Sequence, residues 1–228
     1  MDDLKRYEEL VKTIEYHNDC YYNQDDPKIS DYEYDMMMKE LKKIEKDHPE
    51  FVTPNSPTQH VGGSAKREAG VLVRHRVPML SLQDVFSKEE VQEFVKSMQE
   101  TLVDPVFVVE YKIDGLSMAL RYENGLLTTA ITRGDGIIQG EDVTVNAKVI
   151  KDVKNKLKEP IEYLEVRGEV YMTNEAFDKV NEIQELNNKK TFANPRNCAA
   201  GTLRQLDSRI TKQRNLYMYI FNIQDIRG

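Results

Sequence analysis

Lys112 stands in the run Val106-Phe107-Val108-Val109-Glu110-Tyr111-Lys112-Ile113-Asp114-Gly115, and chemistry in this chain would turn on it. β-Favouring residues lead into Glu110-Tyr111-Lys112, and Asp114-Gly115 closes the run. The pattern predicts a buried strand entering a turn. Alternation along a strand puts Val108, Glu110 and Lys112 on one face. A carboxylate and an amine would then stand where a core strand carries apolar groups. An amine at a strand end, partly desolvated and near other cations, gives up its proton readily and can attack phosphorus or carbonyl carbon. A plain Glu–Lys pair at a sheet edge would leave the same trace. Lys-x-Asp-Gly fixes only three residues, so the flanks must decide between the two.

Other charges recur at predicted strand ends. Arg133 stands at the mouth of Gly134-Asp135-Gly136, and Glu169 ends a run in which Glu165, Arg167 and Glu169 share one face. Lone charges in strands are usually exposed; several that converge on one cleft mark a site. The chain carries a formal charge of −7, unevenly spread. Residues 1–66 hold 15 acids against 9 bases, whereas residues 187–216 hold seven Lys and Arg against Asp207 alone. A cationic stretch in an acidic protein suits phosphate reading, or else is a solvated helix face.

The elements that must position these residues are legible in outline. Leu4, Tyr7, Val11, Ile14, Asn18 and Tyr21 fall at helical steps, and Asp25-Asp26-Pro27 breaks the pattern. Ser30-Asp31-Tyr32-Glu33 is a capping box opening a second helix with Tyr34, Met37, Met38, Leu41 and Ile44 as its apolar stripe. The pair reads as a helical hairpin, and Pro54, Pro57 and Gly62-Gly63 put a domain boundary near residue 66. Ser87-Lys88-Glu89-Glu90 is another capping box, opening a helix through Leu102. Two β-rich runs, 116–123 and 126–133, flank Asn124-Gly125 and predict a hairpin. Residues 142–153 are weakly helical, 161–172 read as a strand, Phe177, Val180 and Ile183 mark a helix, a segment from Asn194 to Arg204 reads as helix, and 216–223 as a last strand. The fold class is α+β: an N-terminal helical hairpin domain, 1–66, then antiparallel sheets and helices over 67–228.

Composition bounds the setting. With 39% hydrophobic and 31% charged residues, no apolar run of membrane-spanning length and no signal peptide, a cytoplasmic protein without membrane partners is expected. Cys20 and Cys198 form no Cys-x-x-Cys, so neither a disulfide framework nor a zinc site is indicated.

Taken together, the motifs resemble the NAD-dependent bacterial DNA ligases. Lys112-Ile113-Asp114-Gly115 is similar to the covalent motif shared by ligases and RNA-capping enzymes. More specific is Tyr21-Tyr22-x-x-Asp25-x-Pro27-x-Ile29-Ser30-Asp31-x-Glu33-Tyr34-Asp35, which resembles the helical domain carried by the NAD-using ligases. Pro78-Met79-Leu80-Ser81-Leu82, Thr132-Arg133-Gly134-Asp135-Gly136, Val166-Arg167-Gly168-Glu169 and Asn194-Pro195-Arg196-Asn197 add to it. The resemblance implies that Lys112 attacks the α-phosphorus of NAD to form lysyl-AMP, and that Asp114 sets the lysine. It implies that Tyr21, Asp31, Tyr34 and Asp35 hold the nicotinamide mononucleotide (NMN) half. Ser81, Leu82, Glu110, Arg133, Glu169 and Phe221 would bind the adenylate half. Arg196 and Arg204 would handle phosphates of NAD or nicked double-stranded DNA. Mg2+ is the implied metal, with Glu169 as its ligand; zinc belongs to a C-terminal part of the family not represented here. Roles in DNA replication and repair follow from the family.

Two departures stand out. Three residues separate Gly136 from Gly140, where the family has two, and Phe221 stands where a Tyr stacks on adenine. The resemblance also implies an incomplete adenylation (nucleotidyltransferase) domain, lacking two lysine-bearing motifs that follow in the family, so the chain by itself is expected to be a feeble enzyme in nick sealing. The alternatives are an ATP-dependent ligase or capping-type nucleotidyltransferase, and a non-catalytic remnant or half of a split ligase that needs a second chain.

Overall fold

The computed structural model describes residues 3–23, 27–53, 56–59 and 71–228, with the backbone alone at 22, 23 and 31. The expected domain boundary near residue 66 lies outside the described residues.

Helix α1 spans Asp3–Asn18 and continues into a π-helical turn, Asp19–Asn23. Helix α2, Asp31–Asp47, opens on the predicted box: Glu33 N–H donates to the Ser30 hydroxyl, and Ser30 N–H donates to the Glu33 carboxylate. Tyr7, Leu10 and Ile14 bury themselves against Leu41, with Tyr34, Met37, Met38 and Ile44 half-buried beside them. Burying each such side chain contributes about 1.5–3 kcal/mol before chain entropy is charged against it. The Arg6 guanidinium clamps both Glu40 carboxylate oxygens at 2.8 Å, which fixes the rotation of one helix on the other.

The rest of the described chain is built on a four-stranded antiparallel sheet in the order β3-β2-β5-β6, where β2 is Leu116–Glu123, β3 Leu126–Thr132, β5 Tyr163–Tyr171 and β6 Tyr217–Arg227. Asn124 and Gly125 both take positive φ, 50° and 73°, as the tight hairpin turn requires. Two short strands not foreseen from sequence, β1 (Leu72–Arg74) and β4 (Gln139–Glu141), pair with each other. Helices α3 (Lys88–Thr101), α4 (Thr144–Ala147), α5 (Asn174–Leu186), α6 (Pro195–Leu203) and α7 (Ser208–Gln213) complete the order. The weak helical reading of 142–153 thus shrinks to one turn. At α3 the cap is real, but Glu90 accepts from Phe86 N–H, so the reciprocal half of the predicted box is displaced by one residue.

The sheet has two unlike faces. Met118, Leu120 and Tyr122 of β2 and Val166 and Val170 of β5 enter the main core with Leu203 and Leu216. Helix α6 packs here because Ala199-Ala200-Gly201 lets its backbone come close, and residues 197–203 are all buried. The other face carries Ser117 and Arg121 of β2, and Glu165, Arg167 and Glu169 of β5. On it, Arg121 and Glu165 form a buried pair at 2.8 Å; Tyr163 donates its hydroxyl to the same carboxylate, and Arg121 also reaches the Arg74 carbonyl. Arg121→Met would strand the Glu165 carboxylate in the interior, at a cost of about 3–5 kcal/mol. We expect the melting temperature to fall by on the order of 10 °C, and to recover most of that loss when Glu165→Met is added. A loss as large in the double variant would show that packing, not the stranded charge, sets the penalty.

The two parts touch through side chains. Lys39 of α2 lies 3.6 Å from Glu90 and 5.0 Å over the Phe86 ring, and Arg196 of α6 lies 4.9 Å over the Tyr21 ring. Exposed ion pairs hold little, so the arginine–tyrosine stack is the stronger link.

Candidate active site

The segment that carries Lys112 is not the buried strand its composition predicts. Residues 105–114 join no ladder among the described residues, and Val106, Val108, Val109 and Tyr111 are 80–96% exposed. A run of Val and Tyr makes a strand only where another edge supplies its hydrogen bonds, because β-propensity measures fit to a pleated, half-buried surface. Glu110 and Lys112 are exposed with their neighbours, not on a buried strand face as expected.

What does place the loop is Gly115. It is buried, and a Cβ there would run into the Val170 carbonyl of β5. The chain passes directly from this point into β2, whose first residue, Leu116, pairs with Val170. Gly115→Ala must lift the loop off β5. We expect the variant to keep the fold while formation of any covalent adduct at Lys112 drops at least tenfold, checked by intact mass beside a melting curve.

Asp114 meets the Arg196 guanidinium at 3.5 Å. Asn194 caps α6 by accepting from Asn197 N–H, and Pro195 starts it, so Arg196 leaves from the first turn. The one Arg196 guanidinium therefore meets the Lys112 loop at Asp114 and also lies over Tyr21 of the helical part.

Two hollows meet at this junction. One is lined by His17, Asn18, Tyr21, residues 27–30, Tyr34 and Asp35. The other is lined by Ser81, Leu82, Glu110, Asp114, Ser117, Arg133, Arg167, Glu169, Tyr219, Phe221 and Asn222. Lys112, Asp84 and Arg196 line both. An extended ligand with two unlike halves would cross from one hollow to the other past the Lys112 amine.

The electrostatics of the second hollow are lopsided. Burial pushes the Glu169 carboxyl above the usual range, opposed by the Ser117 hydroxyl that donates to it at 2.7 Å and by Arg196 and Lys112. Burial also lowers the Arg167 guanidinium, and Arg133 nearby adds to the effect. Arg133 donates to the Ser81 hydroxyl, and His75 holds the Arg133 carbonyl at 2.9 Å. The loop after Arg133 is held locally: Asp135 accepts from the N–H groups of Ile137, Ile138 and Gln139. Those bonds lower the Asp135 carboxyl against the cost of its burial.

The structure brings together Tyr21, Tyr34 and Asp35 in the first hollow, and Ser81, Leu82, Glu110, Lys112, Asp114, Arg133, Glu169, Arg196 and Phe221 in or at the second. The Asp31 side chain lies outside the described residues. Arg204 lines neither hollow. It sits at the end of α6, beyond the helix in which it was expected, and pairs with Glu141 at 3.0 Å. Sequence reading missed His17, Asn18, Asp84, Ser117 and Tyr219. Asn18 was legible only as a helix-face residue, and it accepts from the Tyr34 hydroxyl at 2.8 Å. Asp84 and Ser117 gave no signal, since each gains its place by tertiary proximity. Among the described residues no group of three or more His, Cys, Asp or Glu is set to cage a metal.

A helical hairpin thus meets an antiparallel α+β domain, with arginines, carboxylates and an aromatic ring around one lysine. Residues 70–228 match the NAD-dependent DNA ligase adenylation domain, and residues 1–62 match the DNA ligase-like N-terminal NAD+-binding domain. The chain belongs to the NAD-dependent DNA ligases. It is 56% identical over 228 residues to a DNA ligase of Clostridium kluyveri, covering all of this chain and 34% of that one. It is 54% identical over 222 residues to one of Caldicellulosiruptor saccharolyticus, covering 96% and 32%, and 50% identical over 229 residues to one of Acetivibrio thermocellus, covering 100% and 34%. The chain thus spans about a third of the length of these curated relatives.

Proposed function

We propose that this chain captures NAD across the two hollows and transfers its adenylate to Lys112, as the first step of DNA nick sealing. The observation that carries the reading is that Lys112 and Arg196 line both hollows at once. The helical part, 1–66, takes the NMN half through Tyr21, Asp31, Tyr34 and Asp35. The part from 67 onward takes the adenylate half. Lys112 Nζ attacks the α-phosphorus, the bond to the NMN oxygen breaks, and the amine gives up a proton as the phosphoramidate forms. Asp114 orients the amine, and Arg196 neutralises phosphate charge, which is the larger part of catalysis in phosphoryl transfer. The adenylate then passes to the 5′-phosphate of a nick, with Arg204 on the DNA side.

Mg2+ fits this set of residues. Glu169 is a half-buried carboxylate whose electrostatics Asp114 influences, and Mg2+ binds through one or two carboxylates plus phosphate oxygens rather than in a protein cage. It would supply charge at the transferring phosphoryl group. The setting is cytoplasmic, and no described helix is long and apolar enough to cross a membrane.

Intact mass after prolonged incubation with NAD and Mg2+ tests the reading. One AMP per chain is expected, mapped by peptide analysis to Lys112. An adduct on any other residue, or no measurable affinity for NAD, would reject it.

A second reading is favoured by one observation. Helix α3 buries no residue, its Phe94 is exposed against Phe107, and Val106, Val108 and Val109 of the segment that follows are exposed as well. Apolar surface of that extent calls for cover, which a second chain could supply. Adduct formation that appears only on mixing with such a chain would support it.

A further inference from the structure

Phe221 occupies an irregular point of the sheet. Arg167 of β5 faces Asn222 of β6, while the next residue, Gly168, faces Ile220, so Phe221 is the extra residue of a β-bulge. Bulges re-aim a side chain out of the regular alternation. Gly168 makes this one feasible, since a Cβ there would run into the Tyr219 carbonyl. The Phe221 ring, 45% exposed, lines the second hollow as a result.

Arg167 stands against that ring. Its guanidinium lies 5.5 Å from the ring centroid, and its Nη2 donates to the Leu80 carbonyl at 2.9 Å. Its Nε is buried with no hydrogen-bond partner, and so is the Nε of neighbouring Arg133, which is tied to Ser81. Two adjacent guanidinia therefore hold consecutive residues, Leu80 and Ser81, on one wall, and one of them also backs the aromatic ring on the other. Keeping two like charges this close, partly out of water, is costly. Neither is answered by a carboxylate contact within 4 Å among the described residues.

We propose that Arg167 is a positioning residue for the adenylate half. It fixes the distance between the Leu80–Leu82 wall and the bulged Phe221 ring, so that a flat purine finds a slot of set width. A planar guanidinium can stack on a ring and bond a carbonyl at the same time; an ammonium cannot do both. The proposal deepens the NAD reading and rests on it.

Titration calorimetry of the 228-residue chain with AMP, NAD and NMN tests it. Arg167→Lys keeps the charge and should weaken AMP and NAD by about tenfold, while NMN affinity stays within twofold and the melting temperature is unmoved. In a Phe221→Leu background the same substitution should cost far less, because the two residues act through one contact. Equal losses for AMP and NMN, fully additive losses with Phe221→Leu, or no loss at all would overturn the positioning role. Absence of AMP and NAD binding by the unsubstituted chain would sink the NAD reading and this proposal together. Adduct formation at Lys112 with unchanged AMP affinity in Arg167→Lys would sink this proposal alone.

Discussion

Lys112→Ala should abolish adenylate transfer to the chain while leaving NAD binding nearly intact. Three described side chains line both hollows: Lys112 carries the amine the proposed phosphoramidate requires, Arg196 stays protonated, and an acyl phosphate on Asp84 is the competing adduct that mapping would reveal. Removing a nucleophile removes the covalent step outright, so the expected loss is total within detection rather than a fraction. Binding should survive because Lys112 is exposed and most of the lining of both hollows comes from other segments. Lys112→Arg is the sharper variant: it keeps the positive charge for phosphate attraction but offers no nucleophile. Residual AMP transfer in Lys112→Arg would mean that another side chain carries the reaction. A collapse of NAD affinity in both variants would mean that Lys112 binds more than it reacts.

Glu169→Gln should move activity and stability in opposite directions. Burial holds the Glu169 carboxyl above the usual glutamate range. Between the ordinary value and the raised one, the folded chain holds a proton that the unfolded chain has lost. Stability therefore falls as pH rises through that window. The amide removes the fall, so the variant should melt higher than the parent at neutral pH, by about 2–4 °C for each kcal/mol relieved. Adenylate transfer should drop on the order of 10²-fold, because the ionised oxygen proposed to hold Mg2+ would be gone. In the parent, transfer should fade as pH drops through the raised value, earlier than for an ordinary carboxylate. A glutamine variant that melts lower and keeps full transfer would show that the carboxylate serves the fold through Ser117 rather than the chemistry.

The parts of the molecule legible in the sequence are those decided by neighbours along the chain. The Ser30–Glu33 box, the Asn124-Gly125 turn and the Asn194-Pro195 helix start each depend on hydrogen bonds within a few residues, and each stands where expected. The helical hairpin and the charged face of β5 followed from periodicity alone, and the family from motifs whose residues the two domain matches cover.

Tertiary structure decided the rest. The Val106–Tyr111 run has every local mark of a strand, yet strand formation needs a partner edge, and no local pattern says whether one is present. The helix that Asn194-Pro195 opens stops one residue short of Arg204, whose charge is answered by Glu141, 63 residues away in sequence. Asp84 and Ser117 enter the site only because distant segments fold beside Lys112. The bulge that turns Phe221 into the hollow arises from a register shift between β5 and β6, and register is a property of two strands together. Sequence alone determined the family to which this chain belongs; which side chains surround Lys112 was settled by contacts between residues far apart, where local propensity has no voice.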